Sequence, residues 1–244
     1  MLDIQVTPTK TEFITKAAAI IAQAAQQAIR SRERFTIALS GGSTPLPIYD
    51  LLAHSQDYDQ LKWDMIHFFW GDERTVPPGH PDSNFGQAYK TLLEPRRIPQ
   101  GHIHRMEGES QPDAAAQAYD QELLSFFKED PPRLDLILLG MGGDGHTASL
   151  FPGTSILTAS EITDDLVLPV FVPKLDTWRI SFTPRLIKAA RQVLFLVSGE
   201  GKAATLAQVL EGEMQPEKYP SQLFRDDATW LVDQAAASAL TNTL

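Results

Sequence analysis

The chain has 244 residues, of which 43% are hydrophobic and 21% charged, values typical of a globular protein with a sizeable core. Its formal net charge of −10 argues against nucleic acid or an anionic membrane surface as the main partner. The absence of cysteine excludes disulfides, catalytic thiolates and cysteine-ligated metals. Because the opening MLDIQVTPTKTEF lacks a signal-peptide core and the apolar runs are only about strand length, we expect a cytoplasmic protein without membrane helices.

Amphipathic helices alternate with apolar strands along the chain. The first predicted helix covers residues 11–30, and residues 35–39 predict a strand that leads into the loop SGGSTP. After this loop we expect a helix with Thr44 as its N-cap and Pro45 as its first residue. The later predicted elements are a strand at 65–70, a helix from about residue 84, a helix at 112–128, strands at 134–140, 166–172 and 178–183, a strand continuing into a helix at 192–212, and an apolar segment at 229–240.

This alternation predicts a doubly wound α/β fold with a mostly parallel sheet flanked by helices. The runs LDLILL and VLFLV are continuously apolar, as in parallel strands that are covered on both faces. No repeat or linker divides the sequence, so we expect one domain over residues 1–244. Such sheets bind ligands beyond the carboxyl ends of their strands. The loops expected there are SGGSTP, GDERTVP, GMGGDGHTASLFPG and SGEGK.

Residues 140–145 fit the dinucleotide-binding pattern G-x-G-x-x-G, but their context argues against that function. The pattern normally belongs to the first strand–helix turn of its unit, whereas two strand–helix units precede it here. Asp144 would also repel a pyrophosphate. Two interpretations remain: a glycine turn with an exposed histidine, or a catalytic loop in which Asp144 orients His146. The ordinary histidine pKa, near 6.5, suits proton transfer around neutral pH.

The SGGSTP loop has the features of a phosphate site. Gly42, Ser43 and Thr44 offer backbone and hydroxyl donors, and the helix that follows directs its positive end into the loop. A simple helix cap would explain the Thr-Pro pair but not the glycine run. The SGEGK segment lacks the first glycine of a Walker A motif, because residue 196 is leucine, which excludes a P-loop. Lys202 nevertheless remains a candidate phosphate ligand.

The other charged candidates have simple structural alternatives. Asp72 and Arg74 could belong to a surface ion-pair cluster, and Arg179 could be an ordinary strand residue. The remaining histidines lack metal-ligand spacing, and neither H-E-x-x-H nor G-x-S-x-G occurs. We therefore expect no metal site and no serine hydrolase of the nucleophile-elbow type.

Taken in order, four parts of the sequence resemble the 6-phosphogluconolactonase family: IALSGGSTPLPIYDLL, WGDERTVPPGHPDSNFG, DLILLGMGGDGHTASLFPG, and RISFT with VSGEGKA. The resemblance covers about residues 35–212. It implies the Rossmann-like fold of the broader group that includes glucosamine-6-phosphate deaminase. It also implies hydrolysis of 6-phospho-D-glucono-1,5-lactone to 6-phosphogluconate, the second step of the oxidative pentose phosphate pathway, without a metal or organic cofactor.

The same resemblance implies a role for each candidate residue. His146 would be the general base that activates water, and Asp144 and Asp72 would position the ring or the water. The substrate- and phosphate-binding residues that it implies are Gly42, Ser43, Thr44, Arg74, Gly145, Arg179 and Lys202. The partner would be a small phosphorylated sugar lactone, and we expect a monomer or a weak homo-oligomer.

Two alternative functions deserve comparison with this interpretation. Glucosamine-6-phosphate deaminases carry a glutamate five residues after the equivalent histidine, where this chain has Phe151, a side chain that cannot exchange a proton. A sugar-phosphate sensor of the same fold would normally carry a DNA-binding segment, and this acidic sequence has no basic helix. Both comparisons favour the lactonase.

Overall fold

A computed structural model describes residues 2–129, 131–161 and 163–241. The strands are β1 (Asp3–Thr7), β2 (Phe35–Leu39), β3 (Ile66–Trp70), β4 (Asp72–Arg74), β5 (Leu136–Gly140), β6 (Val167–Val172), β7 (Thr177–Phe182), β8 (Val193–Val197) and β9 (Thr229–Asp233). The α-helices are α1 (Lys10–Arg32), α2 (Leu46–His54), α3 (Asn84–Ala88), α4 (Pro112–Phe127), α5 (Pro184–Ala189) and α6 (Ala203–Leu210).

Within these ranges, a parallel sheet of six strands has the order β1-β9-β8-β5-β2-β3. Alternate strand residues pack into two apolar clusters, one on each face. In β2, Ile37 packs on the side of α1 and α2, whereas Ala38 packs on the side of α4 and α6. β8 is buried along its whole length and consists only of apolar residues, as expected for a parallel strand that is covered on both faces. The predicted doubly wound fold is confirmed.

Two strands were not predicted. β1 lies at one edge of the main sheet beside β9, although the first element that we expected begins at residue 11. The GDER segment, expected as a loop, contains β4, which joins β7 and β6 in a small antiparallel sheet. This sheet starts immediately after β3, where the Phe182 N–H donates to the Gly71 carbonyl at 2.9 Å. A strand of three charged residues has no apolar alternation that would reveal it.

The second helix begins one residue later than predicted. α2 starts at Leu46, Pro45 takes the cap position, and no side chain caps the helix. The Pro45 carbonyl accepts the backbone N–H groups of Ile48 and Tyr49, each at 2.9 Å. Thr44 is therefore not used as the N-cap, and its side chain lines the cleft that is described below.

The topology of the main sheet creates a crevice between β2 and β5. The chain leaves β2 toward β3 on one side and later enters β5 on the other side of β2. The loops that follow the two central strands therefore diverge, and ligands bind at such a switch point in open α/β sheets. Among the helices of the described ranges, none combines the length and the apolar character needed to cross a membrane.

A histidine cluster beside the edge strand β3 predicts acid sensitivity. His67 Nδ1 lies 3.0 Å from His104 Nε2, and the His67 ring stacks on His102 with centroids 4.3 Å apart. Burial, followed by the charges of His102, His104 and Arg34, lowers the pKa of His67 to about 4. Between pH 6.5 and 4 the unfolded chain thus binds a proton that the folded chain does not, so stability falls as the pH falls.

We therefore expect His67→Gln to remove part of the stability loss between pH 7.5 and pH 5. The expected difference is about 1 kcal/mol in the free energy of unfolding, because solvent screens this half-buried ring. Urea denaturation at both pH values measures it, with the exposed His80→Gln as control. An equal acid-induced loss in His67→Gln and wild type would show that His67 does not carry this effect.

Candidate active site

A cleft of about 580 Å³ opens at the carboxyl ends of the parallel strands, between the loops after β2, β5 and β8 and the antiparallel sheet. Its volume is in the range of small-molecule sites. The structure brings most of the sequence-predicted residues together here. Those that line the cleft are Gly42, Ser43, Thr44, Asp72, Arg74, Asp144, His146, Arg179 and Lys202.

His146 and Asp144 form a hydrogen-bonded pair in the loop after β5. His146 Nδ1 lies 2.5 Å from Asp144 Oδ1, and Lys174 Nζ donates to Asp144 Oδ2 at 3.1 Å. Burial opposes ionisation of Asp144, but the His146 hydrogen bond and charge, and then the Lys174 hydrogen bond, lower the pKa of Asp144 to about 2. An ionised carboxylate only accepts hydrogen bonds. Asp144 therefore holds the proton on Nδ1 and leaves Nε2 as the proton-accepting atom of the ring.

Two glycines give this loop its shape. A β-carbon at Gly142 would lie only 2.1 Å from His146 Nδ1, so the imidazole fits only above a glycine. Gly145 has a φ of +79°, which favours glycine, and its Cα faces Tyr219. The Gly145 carbonyl accepts both the backbone N–H and the hydroxyl of Ser221 at 2.9 Å. The structure thus places Gly145 behind the cleft, where it shapes the turn, rather than on the cleft lining.

Phe151 supports the imidazole from the side. The Phe151 and His146 rings stack with centroids 4.0 Å apart and an interplanar angle of 22°. The phenyl ring is buried and also borders the cleft. It therefore restricts the rotation of His146 and offers no proton-transferring group at this position.

Asp72 faces the same cleft, with different partners. Asp72 Oδ2 accepts from the Ser149 hydroxyl at 2.8 Å, and Asp72 Oδ1 accepts from Asn84 Nδ2 at 3.2 Å. Ser149 lies in the same loop as His146, so its hydrogen bond joins that loop to β4. Two neutral donors fix the plane of the Asp72 carboxylate, whereas the hydrogen bonds of Asp144 go to the imidazole and to Lys174.

Glu73, between the two cleft-lining residues of β4, points into the protein. Its side chain is buried and accepts the backbone N–H groups of Asn84 at 2.7 Å and Phe85 at 2.8 Å, in the first turn of α3. Burial raises the pKa of Glu73, and these hydrogen bonds oppose the rise. Glu73 thus anchors β4 to α3. Since side chains alternate along a strand, this anchoring directs Asp72 and Arg74 to the opposite side, toward the cleft.

Arg74 and Arg179 stand directly opposite each other in the antiparallel sheet, and both line the cleft. Burial, and then the charge of Arg74, lowers the pKa of Arg179. Like charges at opposite positions destabilise a sheet, and a bound anion would offset the repulsion. Lys202 contributes another cation from the start of α6. The lining is therefore rich in cations, although the whole chain carries a net charge of −10.

The Gly42-Ser43-Thr44 loop forms the wall of the cleft beside α2. Gly42 has a φ of +90°, and no atom lies within 4 Å of a β-carbon built on it. The loop thus presents its backbone and the two hydroxyl side chains directly to the cleft. Across residues 2–129, 131–161 and 163–241, no group of three histidine, aspartate or glutamate side chains is placed to hold a metal ion.

Among the cleft-lining side chains that were not predicted from the sequence are Asn84, Ser149 and Lys174. Asn84 and Ser149 lie in motifs in which other residues were predicted to be functional. Only the fold shows that both bind Asp72. Lys174 lies in the short connection between β6 and β7, where no motif marks it. Pairing of β6 with β7 brings this connection to the loop after β5.

Comparison with known proteins points to one family. Residues 8–232 match the family model described as glucosamine-6-phosphate isomerases/6-phosphogluconolactonase. The chain is 41% identical to a 6-phosphogluconolactonase of Nostoc sp., with 98% of each chain covered. It is 38% identical to a 6-phosphogluconolactonase of Haemophilus influenzae, with 84% of this chain and 87% of the relative covered.

Solved structures agree with the sequence relatives. A 6-phosphogluconolactonase from Trypanosoma cruzi is similar with a TM-score of 0.86 and 28% identity, over 99% of this chain and 97% of the other. The corresponding enzyme from Trypanosoma brucei gives a TM-score of 0.85 and 27% identity, over 99% of each chain.

The close packing at Gly142 gives a direct test of the imidazole position. We expect Gly142→Ala to lower kcat by about 10²-fold or more, because its methyl group would displace the His146 ring from Asp144. Gly143→Ala is the matched control, since no atom lies within 4 Å of a β-carbon there. Steady-state kinetics with circular dichroism would separate misplacement from unfolding. Equal kcat values for the two variants would contradict the proposed packing constraint.

Proposed function

The chain belongs to the glucosamine-6-phosphate isomerase/6-phosphogluconolactonase family, and we propose that its cleft hydrolyses 6-phospho-D-glucono-1,5-lactone with His146 as general base. The product is 6-phosphogluconate, and the reaction is the second step of the oxidative pentose phosphate pathway. The observation that carries the proposed mechanism is the hydrogen-bonded Asp144–His146 pair inside a cleft rich in cations.

The proposed first step is the attack of water on the lactone carbonyl. Nε2 of His146 accepts a proton from the water as its oxygen bonds to the carbonyl carbon, while the carbonyl π electrons move to oxygen. Asp144 stabilises the resulting imidazolium through Nδ1. Backbone N–H groups of the loops around the cleft, or a nearby cation, stabilise the negative charge on the tetrahedral intermediate.

The second step opens the ring. The tetrahedral intermediate collapses, the bond to the ring oxygen breaks, and the imidazolium returns its proton to that oxygen. His146 is neutral again, and the product carboxylic acid loses its proton to solvent. Asp72, held by Ser149 and Asn84, is placed to position the water or a sugar hydroxyl. The cycle needs no electron transfer and no second substrate other than water.

The phosphate of the substrate supplies the anion that the cationic residues require. Arg74, Arg179 and Lys202 lie around the same cleft as the Gly42-Ser43-Thr44 loop. Planar guanidinium groups bind phosphate oxygens in a bidentate manner, and backbone N–H groups complete such a site. Phosphate binding between Arg74 and Arg179 would offset the repulsion between these opposed guanidinium groups.

Several features of the whole protein belong to the same proposal. We propose one domain over residues 1–244, a cytoplasmic location, and a monomer or weak homo-oligomer. The family match over residues 8–232 supports a single catalytic unit. The lack of cysteine is compatible with a reducing compartment.

The proposal is tested by an assay on freshly prepared 6-phosphogluconolactone, with the spontaneous hydrolysis subtracted. We expect rapid turnover by the wild type and a loss of about 10²- to 10⁴-fold in kcat for His146→Ala, the usual contribution of general acid–base catalysis. Glucosamine 6-phosphate, assayed in parallel, should give no ammonia, because Phe151 cannot transfer a proton. Near-wild-type turnover in His146→Ala would overturn the assignment of the base.

The phosphate site is tested with Arg179→Gln. We expect KM for the phosphorylated lactone to rise about 10- to 100-fold, the cost of losing a charged hydrogen bond to the substrate. Kinetics on glucono-1,5-lactone, which lacks the phosphate, serve as the reference. If the substitution weakened the reactions of both lactones equally, Arg179 would act on the lactone part and not on the phosphate.

A further inference from the structure

Each carboxylate oxygen of Asp144 contacts a different side chain. Oδ1 lies 2.5 Å from His146 Nδ1, and Oδ2 lies 3.1 Å from Lys174 Nζ. The mechanism above uses only the first contact. Lys174 also lines the cleft, and nothing in that mechanism requires an ammonium group at this position.

Lys174 reaches Asp144 from a different part of the fold. Asp144 and His146 follow β5 of the parallel sheet, whereas Lys174 lies in the turn between β6 and β7. The antiparallel pairing Val172↔Thr177 closes this turn, and the Phe171 and Trp178 rings pack beside it with centroids 5.4 Å apart. The ammonium group therefore lies on a hairpin that is held in place by strand pairing and ring packing.

The position of Lys174 has an electrostatic consequence for His146. A carboxylate next to an imidazole favours the protonated ring, and a cation on the other side of that carboxylate weakens this preference. Lys174 thus offsets part of the charge through which Asp144 would hold a proton on His146. Because the Lys174 side chain is 72% exposed, solvent screens this effect and keeps it small.

Other charged groups around the cleft also contribute to the field at His146. They are Asp72 and Arg74 on β4, Arg179 on β7 and Lys202 at the start of α6. Lys174 differs from these groups because it bonds directly to the carboxylate that holds the imidazole. Its removal would therefore change both the charge and the hydrogen bonding of Asp144.

We propose that Lys174 is a positioning residue that binds the outer oxygen of Asp144 and thereby extends the activity of His146 toward lower pH. Without Lys174, the imidazole would stay protonated up to a higher pH. A protonated imidazole cannot accept a proton from water. The inference rests on the proposed role of His146 as general base. It assigns no contact with substrate to Lys174.

The test compares Lys174→Met, Lys174→Arg and Lys62→Met. Lys62 is exposed and does not line the cleft, so its replacement removes one positive charge without altering Asp144. In Lys174→Met we expect the acid limb of the kcat/KM profile to move up by about half a pH unit. Lys174→Arg should keep the wild-type limb, and 1 M salt should reduce the shift.

An NMR titration of the His146 ring in the substrate-free protein provides a second measurement. We expect the same upward shift of its midpoint in Lys174→Met, and this result does not depend on which lactone is hydrolysed. An unchanged or lowered midpoint in Lys174→Met relative to Lys62→Met would overturn the inference, even if the lactonase assay succeeded. If the midpoint shifted but the protein had no lactonase activity, the electrostatic coupling would stand and the proposed function would be wrong.

Discussion

The hydrogen bond between Asp144 and His146 can form only because the backbone beside the imidazole carries no side chain at Gly142. The loop after β5 must turn within a few residues, and its first turn passes so close to the imidazole that Gly142 has no room for a side chain. Phe151 then packs against the ring, and the ionised Asp144 fixes the position of its proton. The parallel sheet supplies the rigid origin of the loop, because β5 is hydrogen-bonded on both sides by β2 and β8. The proposed chemistry thus starts from an imidazole that the fold has already oriented.

The small antiparallel sheet contributes much of the charge in the site. β4 carries Asp72 and Arg74, β7 carries Arg179, and the turn before β7 carries Lys174. Opposed arginines and a buried Glu73 are costly features for a three-residue strand. Glu73 is accommodated by the N–H groups of α3, and the arginines face a cleft suited to an anion. In the proposed phosphate site, these costs to local stability would be offset when the anion binds.

The sequence indicated which loops meet at the cleft, but it did not indicate the geometry of those loops. The glycine run, the Asp–Gly–His segment and the separated cations predicted a cleft at the carboxyl ends of the strands, and the fold placed most of them there. β4 escaped prediction because three charged residues show no periodic pattern, and β1 because it is short and lies at a sheet edge. Gly145 has the right residue type for a substrate contact, yet its direction depends on Tyr219, which is distant in sequence.

The doubly wound fold, the family resemblance and the residue types suited to general-base catalysis could all be inferred from the sequence, because apolar periodicity and short motifs are local properties. The tertiary structure then showed that Asp144 bonds to the imidazole, whereas Asp72 is held by Ser149 and Asn84. It also decided that Lys174 reaches Asp144 and that Arg179 stands opposite Arg74. Except for the Asp144–His146 pair, which lies within one loop, these contacts join residues from separate strands and loops, so their distances follow from sheet pairing and core packing and cannot be obtained from spacing along the chain.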